Sequence, residues 1–144
     1  SVSGRGCHMI AARAGHWLAF LDIKPVNLGH TLLIPKEHHE TLTTAPDKLL
    51  SQTIVIIKRL MTAIKKATRA DFVVLSVVGV DVPHLHFHLL PRYHNDGLAN
   101  FWPTKTVTTE VQKLTAEKIK AAVRENKPAG KNKTTPLQIN PQRG

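Results

Sequence analysis

Cysteine, aromatic residues and acidic residues are all scarce in this sequence of 144 residues. Cys7 is the only cysteine, which excludes an intrachain disulfide and a Cys-x-x-Cys metal site. A single thiol fits a reducing compartment without proving one. Aromatic residues make up 5% and apolar residues 42% of the sequence. That is enough for the modest core of one domain, and it is far from the composition of a disordered chain.

Long apolar runs are missing as well. No stretch approaches the roughly 18 apolar residues that a membrane-spanning helix needs, and no apolar segment typical of a signal peptide opens the sequence. We therefore expect a cytoplasmic protein without a membrane anchor, although a targeting segment that had been removed would leave no trace here.

The scarcity of acidic residues gives the chain a strong positive charge. Twenty Lys and Arg stand against ten Asp and Glu, for a formal charge of +10, which favours anionic partners such as nucleotides, nucleic acid or an acidic protein surface. Residues 126–144 hold four basic residues, no acidic residue and no core-forming pattern. We therefore expect a folded domain in residues 1–125, followed by a basic tail, which is either a solvated extension or a segment that contacts a dimer partner, RNA or a ribonucleoprotein.

The spacing of apolar residues predicts five short strands and two helices. The predicted strands are His8–Ala12, Trp17–Ile23, His30–Pro35, Phe72–Val78 and Pro83–Arg92. A helical period runs from Pro46 to about Thr68, and a second helix is expected from Thr109 to about Arg124. Together these elements predict an α+β domain with an antiparallel sheet.

Three histidines at alternate positions are the most informative feature of the sequence. His84, His86 and His88 lie in the run His-Leu-His-Phe-His, so in a strand their side chains would project from one face and the intervening apolar residues from the other. Aligned imidazoles add nothing to stability. The row therefore indicates metal ligation, or nucleophilic and acid–base chemistry on a phosphate.

Three motifs in this order resemble those of the histidine triad (HIT) superfamily, in particular its Hint-like branch. They are Phe-Leu-Asp-Ile at residues 20–23, Gly-His-Thr-Leu-Leu-Ile-Pro-Lys at 29–36, and the histidine row with its Pro-Arg ending at 84–92, all within residues 17–92. The resemblance implies the HIT fold, a homodimer and a hydrolase or transferase for purine nucleotides. It also implies cleavage of nucleoside phosphoramidates or dinucleoside polyphosphates at the α-phosphate, with release of a nucleoside monophosphate and without a metal or other cofactor.

The resemblance assigns catalytic roles to four histidines. His86 would be the nucleophile and would form a transient nucleotidyl-histidine that water then hydrolyses. His84 and His30 would form the hydrogen-bond network that orients the site and helps to protonate the leaving group. His88 would contact the phosphate oxygens.

Nucleotide-binding residues follow from the same motifs. Asp22 would accept hydrogen bonds from the ribose hydroxyls, and Ile23 and Phe20 would line the base pocket. Ser76 is the only hydroxyl near the phosphate region, residues 74–82, which is shorter than the corresponding family region and lacks its Asn and Gln.

That departure leaves other interpretations open. The histidine row could be a structural cluster without catalysis, or its imidazoles could share a zinc ion. From another class, the chain could be a non-catalytic HIT-fold component of a ribonucleoprotein or other assembly, which would bind RNA through its basic surface and tail.

Overall fold

The computed structural model describes residues 9–11, 16–79, 83–99 and 104–125. The chain divides into two compact units, with the boundary between Leu98 and Ala99. The first unit holds the sheet and the long helix, and the second holds the C-terminal helix. The expected domain of residues 1–125 stays a prediction, and the basic tail of residues 126–144 lies outside the described residues.

The described residues form five strands and two α-helices, close to the bounds that the apolar spacing predicts. In chain order they are β1 (Met9–Ala11), β2 (Trp17–Leu21), β3 (Thr31–Pro35), α1 (Asp47–Thr68), β4 (Phe72–Val77), β5 (Phe87–Arg92) and α2 (Thr109–Glu125), with a short 3₁₀ turn at Leu42–Thr44. In the described part of the chain, no helix combines the length and the apolarity that a membrane crossing requires.

The sheet has the order β1-β2-β3-β5-β4, and every neighbouring pair is antiparallel. Strands β1, β2 and β3 are neighbours in the sheet in the same order as in the sequence. After α1 the chain forms β4 at the edge of the sheet, and β5 then lies between β3 and β4. The predicted α+β class with a five-stranded antiparallel sheet is confirmed.

One face of the sheet and the inner stripe of α1 form the core. Ala19, Leu33 and Phe87 lie opposite one another on β2, β3 and β5, so their side chains share this face. Ile57 and Ile64 of α1 are buried in the same cluster. The helical period of the apolar residues therefore matches the side of α1 that is withdrawn from water.

The histidine strand is shorter than the sequence predicts. Strand β5 begins at Phe87 and not at Pro83, so His84 and His86 precede the strand. The ladder stops because Val77, the last residue of β4, already pairs with Phe87. Before the start of β5, the Leu85 amide donates to the carbonyl of His39, in the loop after β3, at 2.6 Å.

Arg92, at the end of β5, forms a buried ion pair. Its Nε and Nη2 donate to the two carboxylate oxygens of Asp96 at 2.6 and 3.1 Å, and this guanidinium holds the pKa of Asp96 well below its ordinary value. Asn27 Nδ2 donates both to Asp96, at 3.2 Å, and to the Pro91 carbonyl, at 2.9 Å. The turn between β2 and β3 is thereby tied to the end of β5.

Removing core volume at Leu33 tests this packing. Leu33 is 1% exposed, so Leu33→Ala leaves a cavity and should lower the free energy of unfolding by about 2–5 kcal/mol in urea denaturation. The matched control is Leu28→Ala, because Leu28 is 84% exposed and the change should stay within about 0.5 kcal/mol. Equal effects of the two variants would contradict the assignment of the core.

Candidate active site

His30 and His88 are joined by a hydrogen bond across the sheet. His30 lies immediately before β3 and His88 within β5, and His30 Nε2 is 3.0 Å from His88 Nδ1. The other nitrogen of His30, Nδ1, is 3.2 Å from the backbone N of Val26. Because an amide N–H can only donate, His30 Nδ1 accepts, and the proton of neutral His30 sits on Nε2. His30 then donates to His88, which leaves the proton of neutral His88 on Nε2.

Both imidazoles of this pair favour the neutral form. Burial lowers the pKa of His30 from 6.5, although the Asp22 carboxylate acts in the opposite direction. Burial is also the main cause that lowers the pKa of His88, with smaller contributions from the charges of His86 and His30. At neutral pH the Val26–His30–His88 chain is therefore an uncharged series of directed hydrogen bonds.

Asp22 stands at the edge of this pair. It directly follows β2, where its Oδ1 accepts from the Lys24 amide at 2.9 Å, and its Oδ2 lies 3.9 Å from His30 Nε2. Its side chain is 21% exposed, so the carboxylate can still accept hydrogen bonds from a ligand. Asp22 and His30 both border a cavity of about 330 Å³, which Ile23 and Leu28 also line.

His86 has one nitrogen held and one available. Its Nδ1 is 2.7 Å from the carbonyl oxygen of His84. Since a carbonyl only accepts, Nδ1 carries the proton, and the lone pair of the neutral ring is on Nε2. The rings of His86 and His88 meet edge to face, with centroids 5.0 Å apart. This tautomer is the one that a nitrogen nucleophile requires.

His84 interacts with His38 and not with His30. His84 Nε2 is 3.1 Å from the Pro35 carbonyl and therefore carries the proton, while His84 Nδ1 accepts from His38 Nδ1 at 3.1 Å. The sequence motifs give no sign of this contact, because His38 lies outside all three of them. Only the path of residues 83–86 beside the loop after β3 reveals it, and no local pattern encodes that path.

A second cavity lies on the His86 side of the row. It measures about 270 Å³ and is lined by Glu40, Thr41, Leu42, Thr43, Val77, Val78, Gly79, His84, Leu85 and His86. The imidazoles of His30, His88 and His86 thus run in sequence from the first cavity to the second.

Ser76 and Phe20 lie on the sheet face that carries His88. Ser76 of β4 pairs directly with His88 of β5. Leu32 of β3 pairs with His88 on one side and with Phe20 of β2 on the other. Phe20 is only 5% exposed and does not line the 330 Å³ cavity. The structure therefore brings Asp22, Ile23 and His30 together at the first cavity and places Ser76 beside His88. Phe20 is buried and does not line that cavity.

A metal ion fits this site poorly. Among the described residues, the group with ligand atoms close enough to share an ion is Asp22, His30 and His88, and not the row of His84, His86 and His88. For His30 Nε2 to bind a metal, the proton would have to move to Nδ1, where it would face the Val26 N–H at 3.2 Å. Two donors facing each other are unfavourable, so the hydrogen bond from Val26 opposes ligation.

The titration of His30 and His88 tests these electrostatics. Followed by NMR of the ring carbon-bound protons, both should titrate below pH 6.5. Asp22→Asn should lower both midpoints further, because it removes the carboxylate that raises them. The matched control is Glu37→Gln, since Glu37 contacts His39 instead and should leave both midpoints unchanged. Midpoints above 6.5 would contradict the hydrogen-bond pattern described.

Comparisons with known proteins find related sequences and structures. A family model described as the HIT domain matches residues 8–95. An uncharacterized HIT-like protein of Methanocaldococcus jannaschii is 40% identical over 97 residues, which cover 64% of this chain and 75% of that protein. An adenosine 5'-monophosphoramidase of Saccharomyces cerevisiae is 41% identical over 101 residues, or 67% of this chain and 61% of that enzyme.

A solved structure shows the same architecture. The crystal structure of a HIT family protein from Bacillus anthracis superposes with a TM-score of 0.68 and 31% sequence identity. The alignment covers 81% of this chain and 87% of that one. The likeness therefore extends beyond the three motifs to most of the fold.

Proposed function

The chain belongs to the HIT family, and on that basis we propose that it is a nucleotide-binding hydrolase or transferase. It cleaves nucleoside phosphoramidates or dinucleoside polyphosphates at the α-phosphate and releases a nucleoside monophosphate. The observation that carries the proposal is the tautomer of His86, whose Nδ1 is held by the His84 carbonyl at 2.7 Å. The phosphoramidase name of the yeast relative supports the phosphoramidate class.

The proposed reaction has two displacements. First the Nε2 lone pair of His86 attacks the α-phosphorus, the bond from phosphorus to the leaving group breaks, and the leaving group takes up a proton. Water then attacks the nucleotidyl-histidine, the phosphorus–Nε2 bond breaks, and a proton from that water is released. Imidazole suits both steps because it is a good nucleophile and a good leaving group near neutral pH.

His88 and His30 support the transferring phosphate in this mechanism. The chain of donors from Val26 through His30 leaves an N–H on His88 Nε2, beside the ring of His86. An N–H fixed in this way is available to a phosphate oxygen, whose negative charge it stabilises in the transition state. Both ring nitrogens of His84 form hydrogen bonds. In the proposed mechanism these bonds fix the position of residue 84, whose own backbone carbonyl orients His86.

The nucleoside is assigned to the cavity of about 330 Å³. Asp22 accepts from the ribose hydroxyls there, and the exposed side chain of Ile23 contacts the base. Ser76, next to His88 on the sheet, stays a predicted phosphate ligand. Phe20 stays a predicted part of the base pocket, although it does not line this cavity.

Removing the imidazole of His86 tests the proposal. With adenosine 5'-phosphoramidate and with a diadenosine polyphosphate as substrates, His86→Ala should reduce AMP release by at least about a thousandfold, as the loss of a covalent nucleophile does. The control is His94→Ala, which removes an exposed imidazole next to Phe72 and should leave the rate unchanged. AMP release at the same rate from wild type and His86→Ala would exclude this nucleophile.

A homodimer through β4 accompanies the proposed function. In the described sheet β4 is an edge strand, and Leu75, Val77 and Val78 are 39%, 39% and 46% exposed. An apolar edge strand favours pairing with another strand. A second copy of this chain would extend the sheet and cover these side chains.

Charge placed on that edge should separate the subunits. Val77→Lys should shift the molar mass measured by light scattering from dimer to monomer, because a cation would be buried against its own symmetry mate. Leu28→Lys, a cation at an exposed site away from β4, is the control. A wild-type protein that is monomeric at every concentration would rule out the dimer.

RNA contact through residues 126–144 and a cytoplasmic location stay predictions. The tail lies outside the described residues, so the proposed function rests on the first compact unit alone.

A further inference from the structure

Residues 84–86 lie beside the site but outside the sheet ladders. The pairing of β5 with β3 and β4 begins at Phe87, and His86, the proposed nucleophile, comes just before it. The Nδ1 proton of His86 is held by the carbonyl of His84 at 2.7 Å. The position of that carbonyl must therefore come from contacts other than sheet pairing.

Three hydrogen bonds tie this segment to the end of β3 and to the loop after it. The His84 ring bonds through Nε2 to the Pro35 carbonyl at 3.1 Å and through Nδ1 to His38 Nδ1 at 3.1 Å. The Leu85 amide donates to the His39 carbonyl at 2.6 Å. Pro35 and His39 contribute backbone carbonyls, so the bond from His38 is the one of the three that a substitution in the loop can remove.

The direction of the bond between His38 and His84 follows from the carbonyl on the other side of the His84 ring. A carbonyl only accepts, so Nε2 of His84 carries the proton of the neutral ring and Nδ1 presents a lone pair. His38, which is exposed, must then donate from its own Nδ1. An exposed histidine without a partner exchanges between its two tautomers, whereas this bond selects one of them.

We propose that His38 is a positioning residue for the nucleophile. By donating to His84 Nδ1 it fixes the ring of His84, and with it the residue whose carbonyl keeps the proton of His86 on Nδ1. The lone pair on His86 Nε2 then stays available for the α-phosphorus. His38 lines neither the cavity of about 330 Å³ nor the one of about 270 Å³, so it acts through His84 and not on the substrate. This inference rests on the proposed function.

Two substitutions at position 38 separate a hydrogen-bond role from a merely structural one. His38→Ala removes the donor and should lower kcat for adenosine 5'-phosphoramidate by about three- to tenfold, the effect of one hydrogen bond. His38→Asn carries an amide donor, Nδ2, at the point in the side chain where histidine has Nδ1. It should therefore retain kcat within about twofold of the wild type.

NMR of the ring nitrogens detects the bond independently of turnover. Long-range proton–nitrogen spectra distinguish a protonated ring nitrogen from an unprotonated one, and in the wild type we expect the Nδ1–H form of His38 and the Nε2–H form of His84. In His38→Asp an acceptor replaces the donor. Both nitrogens of His84 should then carry protons, because the new carboxylate accepts from Nδ1 while the Pro35 carbonyl still accepts from Nε2.

His16→Ala is the matched control, because it removes another exposed imidazole near the end of β3, where the His16 carbonyl accepts from the Lys36 amide at 2.7 Å. It should leave kcat unchanged. His38→Ala should bind AMP with the wild-type affinity in calorimetry, since the nucleoside cavity is unaltered, and circular dichroism should show the wild-type fold.

The outcomes separate this inference from the proposed function. If His86→Ala abolishes AMP release while His38→Ala keeps the wild-type kcat, the nucleophile stands and the role of His38 is rejected. Equal losses in His38→Ala and His38→Asn would also reject it, because the donor would not matter, and so would an unprotonated His84 Nδ1 in His38→Asp. AMP release from His86→Ala at the wild-type rate would instead reject the proposed function, and with it any role of His38 in that reaction.

Discussion

The directed chain of hydrogen bonds from the Val26 amide through His30 to His88 fixes the proton positions of these two imidazoles. An amide N–H has no acceptor role, so its position 3.2 Å from His30 Nδ1 determines which nitrogen of each following ring is protonated. His86 is fixed separately, by the carbonyl of His84. The result is an N–H on Nε2 of both His30 and His88 and a lone pair on Nε2 of His86, with the Asp22 carboxylate 3.9 Å from His30 Nε2.

The series of hydrogen bonds from Val26 to His88 depends on the position of the turn before β3, which contacts from other parts of the fold hold in place. Gly29 has a φ of +94°, and a β-carbon there would lie 2.7 Å from Thr68 Cγ2 at the end of α1, so a side chain is excluded both by conformation and by space. Asn27 binds Asp96 and the Pro91 carbonyl on the far side of the turn. The Pro-Arg ending of the histidine motif therefore has a structural role, because Arg92 holds the carboxylate that Asn27 contacts.

Apolar periodicity predicts most of the fold, since the residues buried between the sheet and α1 recur every two residues in a strand and every 3.6 residues in the helix. It places α1 within one residue, and the alternation around His88 correctly separates it from Leu89 and Phe87. It could not place the start of β5, because this depends on where the pairing between β4 and β5 ends, at Val77 and Phe87. Nor could it find the pairing of His30 with His88, which follows from the register of β3 and β5, or the His38–His84 contact, which follows from the path of residues 83–86 beside the loop after β3.

The direction of these hydrogen bonds acts in the same sense as burial, which is the main cause that lowers the pKa of His30 and His88. A proton added to His30 would have to go on Nδ1, opposite the Val26 N–H, and a proton added to His88 would go on Nδ1, opposite the proton of His30 Nε2. Each protonation would replace a hydrogen bond by two facing donors, which disfavours the cation. Desolvation and hydrogen-bond direction therefore lower the pKa of both rings together. In the proposed mechanism, the N–H that His88 directs at the phosphate therefore belongs to a ring that is neutral in the free protein.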